Sequence, residues 1–102
     1  MSRPKNYWNP IVKKMIFRYP LLPEEKTIQA GIFEKAIRDS LKETSELTNG
    51  EMRIKAIEDI YFKRIKTYEG VALETHFSER TIRYWCNDFV KLVGKHSGYT
   101  SE

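Results

Sequence analysis

Residues 71–85 of the chain read VALETHFSERTIRYW, a spacing typical of two helices joined by a sharp turn. Such a bihelical unit needs a small residue where the helices cross, an apolar plug after the turn, a cap on the second helix and an apolar anchor within that helix. Ala72, Phe77, Ser78 and Ile82 fill these four positions in that order. The stretch therefore predicts a helix-turn-helix.

The helix that begins after Ser78 is predicted to have one buried and one exposed side. Apolar residues recur at helical spacing on the buried side, at Ile82, Trp85, Cys86, Phe89 and Leu92 or Val93. The other side carries residue types that bind nucleic acid, because arginine pairs with guanine, asparagine with adenine and glutamate with cytosine. We expect DNA contacts from Ser78 and Thr81, at phosphates, and from Glu79, Arg80, Arg83, Tyr84, Asn87 and Lys91, at bases or neighbouring phosphates.

A family resemblance points the same way. Residues 67–72 (TYEGVA), 77–82 (FSERTI) and 83–84 (RY) resemble the phage transcriptional regulators of the ArpU and RinA type, whose C-terminal part is like the fourth region of bacterial sigma factors. The resemblance covers about residues 60 to 93. It implies a DNA-binding regulator of phage or prophage origin, with Thr67 capping the first helix, Ala72 at the helix crossing, and Arg80, Thr81, Arg83 and Tyr84 on the DNA-facing helix.

Three residues depart from the usual pattern of that family. Gly70 stands where a helix-favouring acid is common, so it either costs about 1 kcal/mol inside the helix or ends the preceding helix. Thr75 replaces a usual leucine, which weakens the core contact of the first helix. His76 occupies a turn position that is often left-handed, a conformation that histidine tolerates better than most residues.

Upstream, helical periodicity predicts further helices, and no alternating stretch is long enough to predict a strand. The Asn-Pro pair at residues 9–10 is typical of a helix start, and that helix ends before Pro20. After a stiff corner at residues 20–23, a second helix is expected to have Glu24 and Glu25 in its first turn and to run to about residue 45. Its buried stripe is predicted at Ile28, Ile32, Ala36, Ile37 and Leu41, and a third helix ends near residue 66.

The length of 102 residues fits one domain with one core. We expect a small all-α domain of four to five helices over residues 1–102, with a C-terminal helix-turn-helix. Its N-terminal helices, in residues 1–65, would supply core and an oligomerisation or partner surface. The helix-turn-helix would occupy residues 66–94, and residues 95–102 would form a flexible polar tail. In the basic N-terminal segment, Trp8 and Phe17 are predicted to face the core. Lys13 and Lys14 are candidates for phosphate contacts, or this helix is a dimer surface.

Charge and composition bound the class of protein. A net charge of +4 and a pI near 9.2 permit a polyanionic partner. Cations dominate residues 1–20, whereas residues 24–46 carry six acids and four cations. The single cysteine, Cys86, excludes an internal disulfide and favours a reducing compartment. With no signal peptide and no membrane segment in the sequence, a cytoplasmic location is expected.

Neither metal binding nor catalysis is indicated. His76, Cys86 and His96 are ten residues apart and lack the paired short spacings of a zinc site. The acid pairs at residues 24–25 and 58–59 are adjacent in sequence, so they point about 100° apart on a helix and are expected on a solvated face. We therefore expect no cofactor, no metal and no enzymatic activity.

Three functional hypotheses remain open from the sequence. The first is a sequence-specific transcription regulator that binds double-stranded DNA, either as a homodimer or in contact with RNA polymerase through the acidic helix of residues 24–46. The second is a phage DNA-packaging subunit similar to a small terminase. The third is a helical protein-interaction module that does not bind DNA.

Overall fold

The computed structural model describes residues 8–99, and every regular element in that range is helical. The all-α prediction is confirmed. The elements are α1 (Asn9–Phe17), a 3₁₀ segment (Tyr19–Glu24), α2 (Ile28–Ser45), α3 (Gly50–Ile57) with a π-helical turn (Glu58–Phe62), α4 (Tyr68–Thr75) and α5 (Glu79–Ser97). No helix within the described range is both long and apolar enough to cross a bilayer.

The core is organised around α5, which contacts all four other helices. Its apolar residues are buried as a continuous stripe: Ile82, Trp85, Cys86, Phe89, Val90 and Val93. The predicted buried side is therefore confirmed, except that Val90 belongs to it and Leu92 is only half-buried. Aromatic pairs extend this core to the N-terminal elements, with ring centroids 5.1 Å apart for Phe17 and Tyr61 and 6.4 Å apart for Phe62 and Phe89.

The first two helices begin differently from the prediction. Asn9 lies inside α1, and its side chain makes no capping hydrogen bond; Trp8 precedes the helix and is buried, as expected. Residues 20–23, which were predicted to form a stiff corner before α2, lie in the 3₁₀ segment. Glu24 ends that segment and is not in the first turn of α2. Instead, the Thr27 hydroxyl accepts a hydrogen bond from the amide of Ala30 at 3.0 Å and caps α2.

The predicted buried stripe of α2 was partly wrong. Ile28 is 86% exposed and Ile32 is 47% exposed, whereas Ala36 and Ile37 are buried as expected. The face that packs on the core is completed by Ala30, Phe33 and two polar residues, Ser40 and Thr44. Because the Ser40 hydroxyl donates to the carbonyl of Ala36, it can lie in an apolar interface at little cost.

The third helix was predicted to end near residue 66, but it ends at Phe62. Its π-helical turn buries Asp59, an acid that was expected in solvent. Asp59 is only 4% exposed, and its carboxylate accepts from the Lys66 ammonium at 3.2 Å, with Lys55 at 3.9 Å. The Asp59 carbonyl also accepts from the amides of Ile65 and Lys66. This one residue therefore fixes the loop that leads into α4. Of the other acids in the two predicted pairs, Glu24 is exposed, Glu58 is half-buried and Glu25 is paired with Arg18.

The prediction of a flexible tail from residue 95 was wrong for residues 95–99. Residues 95–97 continue α5, Gly98 ends it with a φ of 86°, and the amide of Tyr99 donates to the carbonyl of Gly94 at 2.9 Å. The Tyr99 ring packs against Phe33 with centroids 5.4 Å apart, and the Gln29 amide donates to its hydroxyl. Residues 100–102 of the predicted tail lie outside the described residues.

Replacing Tyr99 by alanine is expected to lower the free energy of unfolding by about 1–2 kcal/mol, because a half-buried ring loses its contacts with α2. Urea denaturation followed by circular dichroism measures this change. Lys95→Ala, at an exposed site of the same helix turn, is the control and should change stability by less than about 0.5 kcal/mol. Equal stability of Tyr99→Ala and the wild type would contradict the docking of this segment.

Cys86 is expected to be inert in the native protein. Its thiol is fully buried, and burial raises its pKa from 9.0 to about 12. The stability that depends on a protonated thiol is therefore present below about pH 9 and is lost as the pH rises towards about 12. A thiol reagent at about pH 8 should modify Cys86 only after unfolding. A Ser45→Cys/Cys86→Ala variant, whose thiol is exposed, should react at once; equally fast reaction of wild-type Cys86 contradicts the burial.

Candidate nucleic-acid interface

The sharp turn that residues 71–85 predict is present as a corner between α4 and α5. The Thr67 hydroxyl accepts from the amide of Gly70 at 3.1 Å and caps α4, and the Ser78 hydroxyl accepts from the amide of Thr81 at 3.1 Å and caps α5. Between the helices, His76 is left-handed, with φ 65° and ψ 13°. Of the two alternatives for Gly70, termination of the preceding helix was wrong, because this residue lies in the first turn of α4.

Apolar contacts hold the corner against the core. Val71 is buried, and the Phe77 ring packs on Trp85 with centroids 4.9 Å apart, which is the position predicted for the plug. Ala72 is half-buried and packs against the core, consistent with the predicted helix crossing. Thr75 compensates for the missing leucine with its hydroxyl, which donates to the carbonyl of Val71 and accepts from the amide of Phe77.

The outer side of α5 is exposed along three turns. Arg80, Tyr84, Asn87 and Lys91 are all exposed, and Tyr84 has 61% of its surface in solvent. None of these four forms a side-chain hydrogen bond or a salt bridge with any residue that the structure describes. With a rise of about 1.5 Å per residue, the row from Arg80 to Lys91 is about 16 Å long, which exceeds the roughly 12 Å width of a DNA major groove.

The remaining predicted site residues already have partners. Ser78 and Thr81 join their hydroxyls at 2.9 Å, so both are engaged at the helix cap. Glu79 and Arg83 form an ion pair one turn apart, in which one carboxylate oxygen accepts from Nη2 at 2.9 Å and from Nε at 3.2 Å. The structure thus places all eight predicted residues at the cap and in the first four turns of α5. Four of them have no partner among the described residues, and the other four are bonded to one another.

Two tyrosines that sequence reasoning missed support the Arg83 side chain from below this surface. The Arg83 guanidinium lies 4.5 Å from the ring centroid of Tyr68, at the start of α4. The Tyr68 hydroxyl lies 3.2 Å from the hydroxyl of Tyr61, which is buried, and burial raises the pKa of Tyr61 above its ordinary value. The Glu79–Arg83 spacing of four residues was a detectable signal, whereas the contact with Tyr68 crosses the corner and has no sequence signature.

The charge around the corner is positive but partly compensated. Residues 63–95 include seven cationic and four acidic side chains. Lys66 is bound by Glu74 and Asp59, both of which raise its pKa, and Asp88 faces Arg53 at 3.5 Å. Among the residues described, Arg80, Lys91 and Lys95 have no acidic partner within salt-bridge distance, so they supply positive charge to the outer surface of α5.

Residues 8–99 contain no cluster of metal-ligating side chains. No group of three or more His, Cys, Asp or Glu side chains there is arranged to hold a metal ion. A cavity of about 270 Å³ lies between α3 and α4, but its acids, Asp59 and Glu74, are already bridged by Lys66. Of the two lysines predicted as candidates for phosphate contacts, Lys14 is exposed, whereas Lys13 is half-buried and less accessible to a phosphate.

Comparison of the chain with protein-family models, curated proteins and solved structures found no match. The geometry of the corner and of the outer side of α5 is therefore the basis for a function.

Removing the cap of α5 is expected to destabilise the corner. Ser78→Ala deletes the acceptor for the Thr81 amide and should lower the free energy of unfolding by about 1 kcal/mol. Chemical denaturation measures the loss. Ser45→Ala, at an exposed position near the end of α2, is the control and should stay within about 0.5 kcal/mol of the wild type. Equal stabilities of the two variants would contradict a capping role for Ser78.

Proposed function

We propose that the protein is a sequence-specific transcription regulator of phage or prophage origin that binds double-stranded DNA and has no catalytic activity. The observation that carries the proposal is the exposed row of Arg80, Tyr84, Asn87 and Lys91 on the helix that follows a capped, left-handed corner. Arginine, tyrosine, asparagine and lysine are residue types that hydrogen-bond base edges and phosphates.

Each residue of this side has a proposed role. Arg80, Arg83, Tyr84 and Asn87 read base edges or bind neighbouring phosphates. Ser78 and Thr81 bind a phosphate at the start of α5, where unpaired backbone amides and the helix dipole favour an anion. Lys91, three turns from the start of the helix, binds a phosphate at the far side of the groove.

Selectivity requires a second contact, because one helix reads too few base pairs. Three of the six acids in residues 24–46 already face a basic partner, since Glu25 is paired with Arg18, Asp39 with Lys35, and Glu43 faces His96 at 3.5 Å. This pairing weakens the case for an acidic docking surface for RNA polymerase. The exposed Ile28 and Ile32 instead favour an apolar contact with a second copy of the chain. We propose a dimer through this side of α2, bound to paired half-sites.

The DNA-packaging alternative shares the helix-turn-helix and differs in assembly. A small-terminase-like subunit forms a ring of many copies, whereas the proposed regulator forms a dimer. The protein-interaction alternative predicts no duplex binding tighter than the non-specific range of about 10⁻⁴ to 10⁻⁶ M.

Asn87→Ala is expected to weaken binding to a duplex selected from a random library by about 1–3 kcal/mol and to relax the preference at one base pair. Lys91→Ala should weaken binding to selected and scrambled duplexes equally and reduce the salt slope by about 1. Fluorescence anisotropy at several salt concentrations measures both effects. Lys42→Ala, which removes an exposed cation from α2, is the control; wild-type affinity for every duplex in the Asn87 and Lys91 variants would contradict the interface.

Ile28→Glu is expected to convert the dimer into a monomer without unfolding it, because this side chain is already 86% exposed. Light scattering after size exclusion gives the molar mass. Ile65→Glu, the same change at another exposed isoleucine, is the control and should leave the dimer intact. A wild-type monomer at high concentration would contradict the dimer, and a ring of many subunits would favour DNA packaging.

A further inference from the structure

We propose that Glu79 and Tyr68 are positioning residues that hold the Arg83 guanidinium with its far edge free for a guanine base. This inference rests on the proposed function and deepens it, because it names the base that Arg83 reads and assigns Glu79 a role other than base contact. Two observations on the described residues carry it: the ion pair with Glu79, which also places a negative charge beside the guanidinium, and the aromatic platform of Tyr68.

The Glu79 carboxylate occupies one edge of the guanidinium. A single oxygen accepts from Nε and Nη2, the two nitrogens that share the side edge of the group. The remaining donors that lie parallel are one hydrogen of Nη1 and the second hydrogen of Nη2, at the end of the side chain. Since the guanidinium is planar, fixing the first edge also fixes the direction of the second.

Tyr68 fixes the plane of the group. The guanidinium carbon lies 4.5 Å from the centre of the Tyr68 ring, within the range of a cation–π contact. The ring is anchored in turn, because its hydroxyl meets that of Tyr61 at 3.2 Å and Tyr61 is only 2% exposed. The Arg83 guanidinium is therefore connected to the core through Tyr68 and then Tyr61, although more than half of the Arg83 side chain is exposed.

Two parallel donors match guanine better than the other bases. Guanine presents N7 and O6 as adjacent acceptors in the major groove, whereas adenine presents N7 beside an amino donor and cytosine presents an amino donor. A phosphate also offers two acceptors, but the Glu79 carboxylate beside the guanidinium repels that anion. A neutral base edge is not repelled in this way, so the arrangement favours guanine over the backbone.

The test is selection from a random duplex library, followed by titration of the selected duplex and of the same duplex with one G·C pair changed to A·T. The wild type should select a guanine at one position, and changing that G·C pair to A·T should lower its affinity about 10- to 100-fold. Arg83→Ala should no longer select this guanine. Arg83→Lys should lose the preference too, because lysine has no fork of donors.

The positioning role is tested by discrimination, not by affinity alone. Glu79→Ala should bind both duplexes at least as tightly as the wild type, because an acid is removed, but its discrimination should fall below about 3-fold. Tyr68→Leu should lose discrimination similarly, while Tyr68→Phe keeps the platform and most of the discrimination. Glu69→Ala, which removes an exposed acid from the first turn of α4, is the control and should retain full discrimination.

The possible failures are distinguishable. If the wild type selects a motif but Glu79→Ala and Tyr68→Leu, both folded by circular dichroism, discriminate as the wild type does, the positioning role is overturned and the proposed function stands. If Arg83→Ala selects the same guanine, the assignment of Arg83 is overturned. If the wild type selects no motif and binds duplex only in the non-specific range, the proposed function fails, and this inference fails with it.

Discussion

Burial of the apolar side of α5 is the interaction on which the rest of the structure depends. This helix contacts all four other helices of the described chain, and its buried stripe continues from Ile82 to Val93. Each large apolar side chain that is fully buried contributes about 1.5–3 kcal/mol, so the helix provides a large share of the hydrophobic stabilisation. The same helix carries the candidate DNA-binding residues on its opposite side. The orientation of that side is consequently fixed by core packing, not by a loop.

The charged side chains around the corner fall into two sets with different consequences. Lys66 bridges the carboxylates of Asp59 and Glu74, and this pairing holds the loop that leads into α4. Arg80 and Lys91, by contrast, have no acidic partner within the described residues. Residues 63–95 carry seven cationic and four acidic side chains, and the unpaired cations of α5 lie on a surface that a polyanion can approach. Local pairing decides this more than the net charge does.

The sequence was a good guide where local rules decide the structure and a poor one where distant contacts do. The cap at Ser78, the left-handed turn at His76 and the buried side of α5 follow from side-chain chemistry and helical spacing within a few residues. The side of α2 was misassigned at Ile28, because the core face is completed by polar residues that a search for apolar spacing ignores. Asp59 was wrongly expected in solvent. Its burial depends on the π-helical turn and on the pairing with Lys66, and neither follows from the local sequence pattern. Helical spacing also predicted that the candidate site residues lie together near the start of α5, whereas the contact between Tyr68 and Arg83 depends on the tertiary crossing of two helices.

The separation of the two sides of α5 has a consequence for how such a protein changes over time. Positions 80, 84, 87 and 91 contribute almost nothing to the interior, so substitutions there would alter the proposed recognition surface without endangering the scaffold. New recognition can therefore be acquired one residue at a time, each intermediate remaining folded. The position of Arg83 is less free, because its neighbours across the corner have to change with it. A family of chains built on this scaffold would diversify quickly at positions 80, 84, 87 and 91. Position 83 would change only together with its neighbours across the corner.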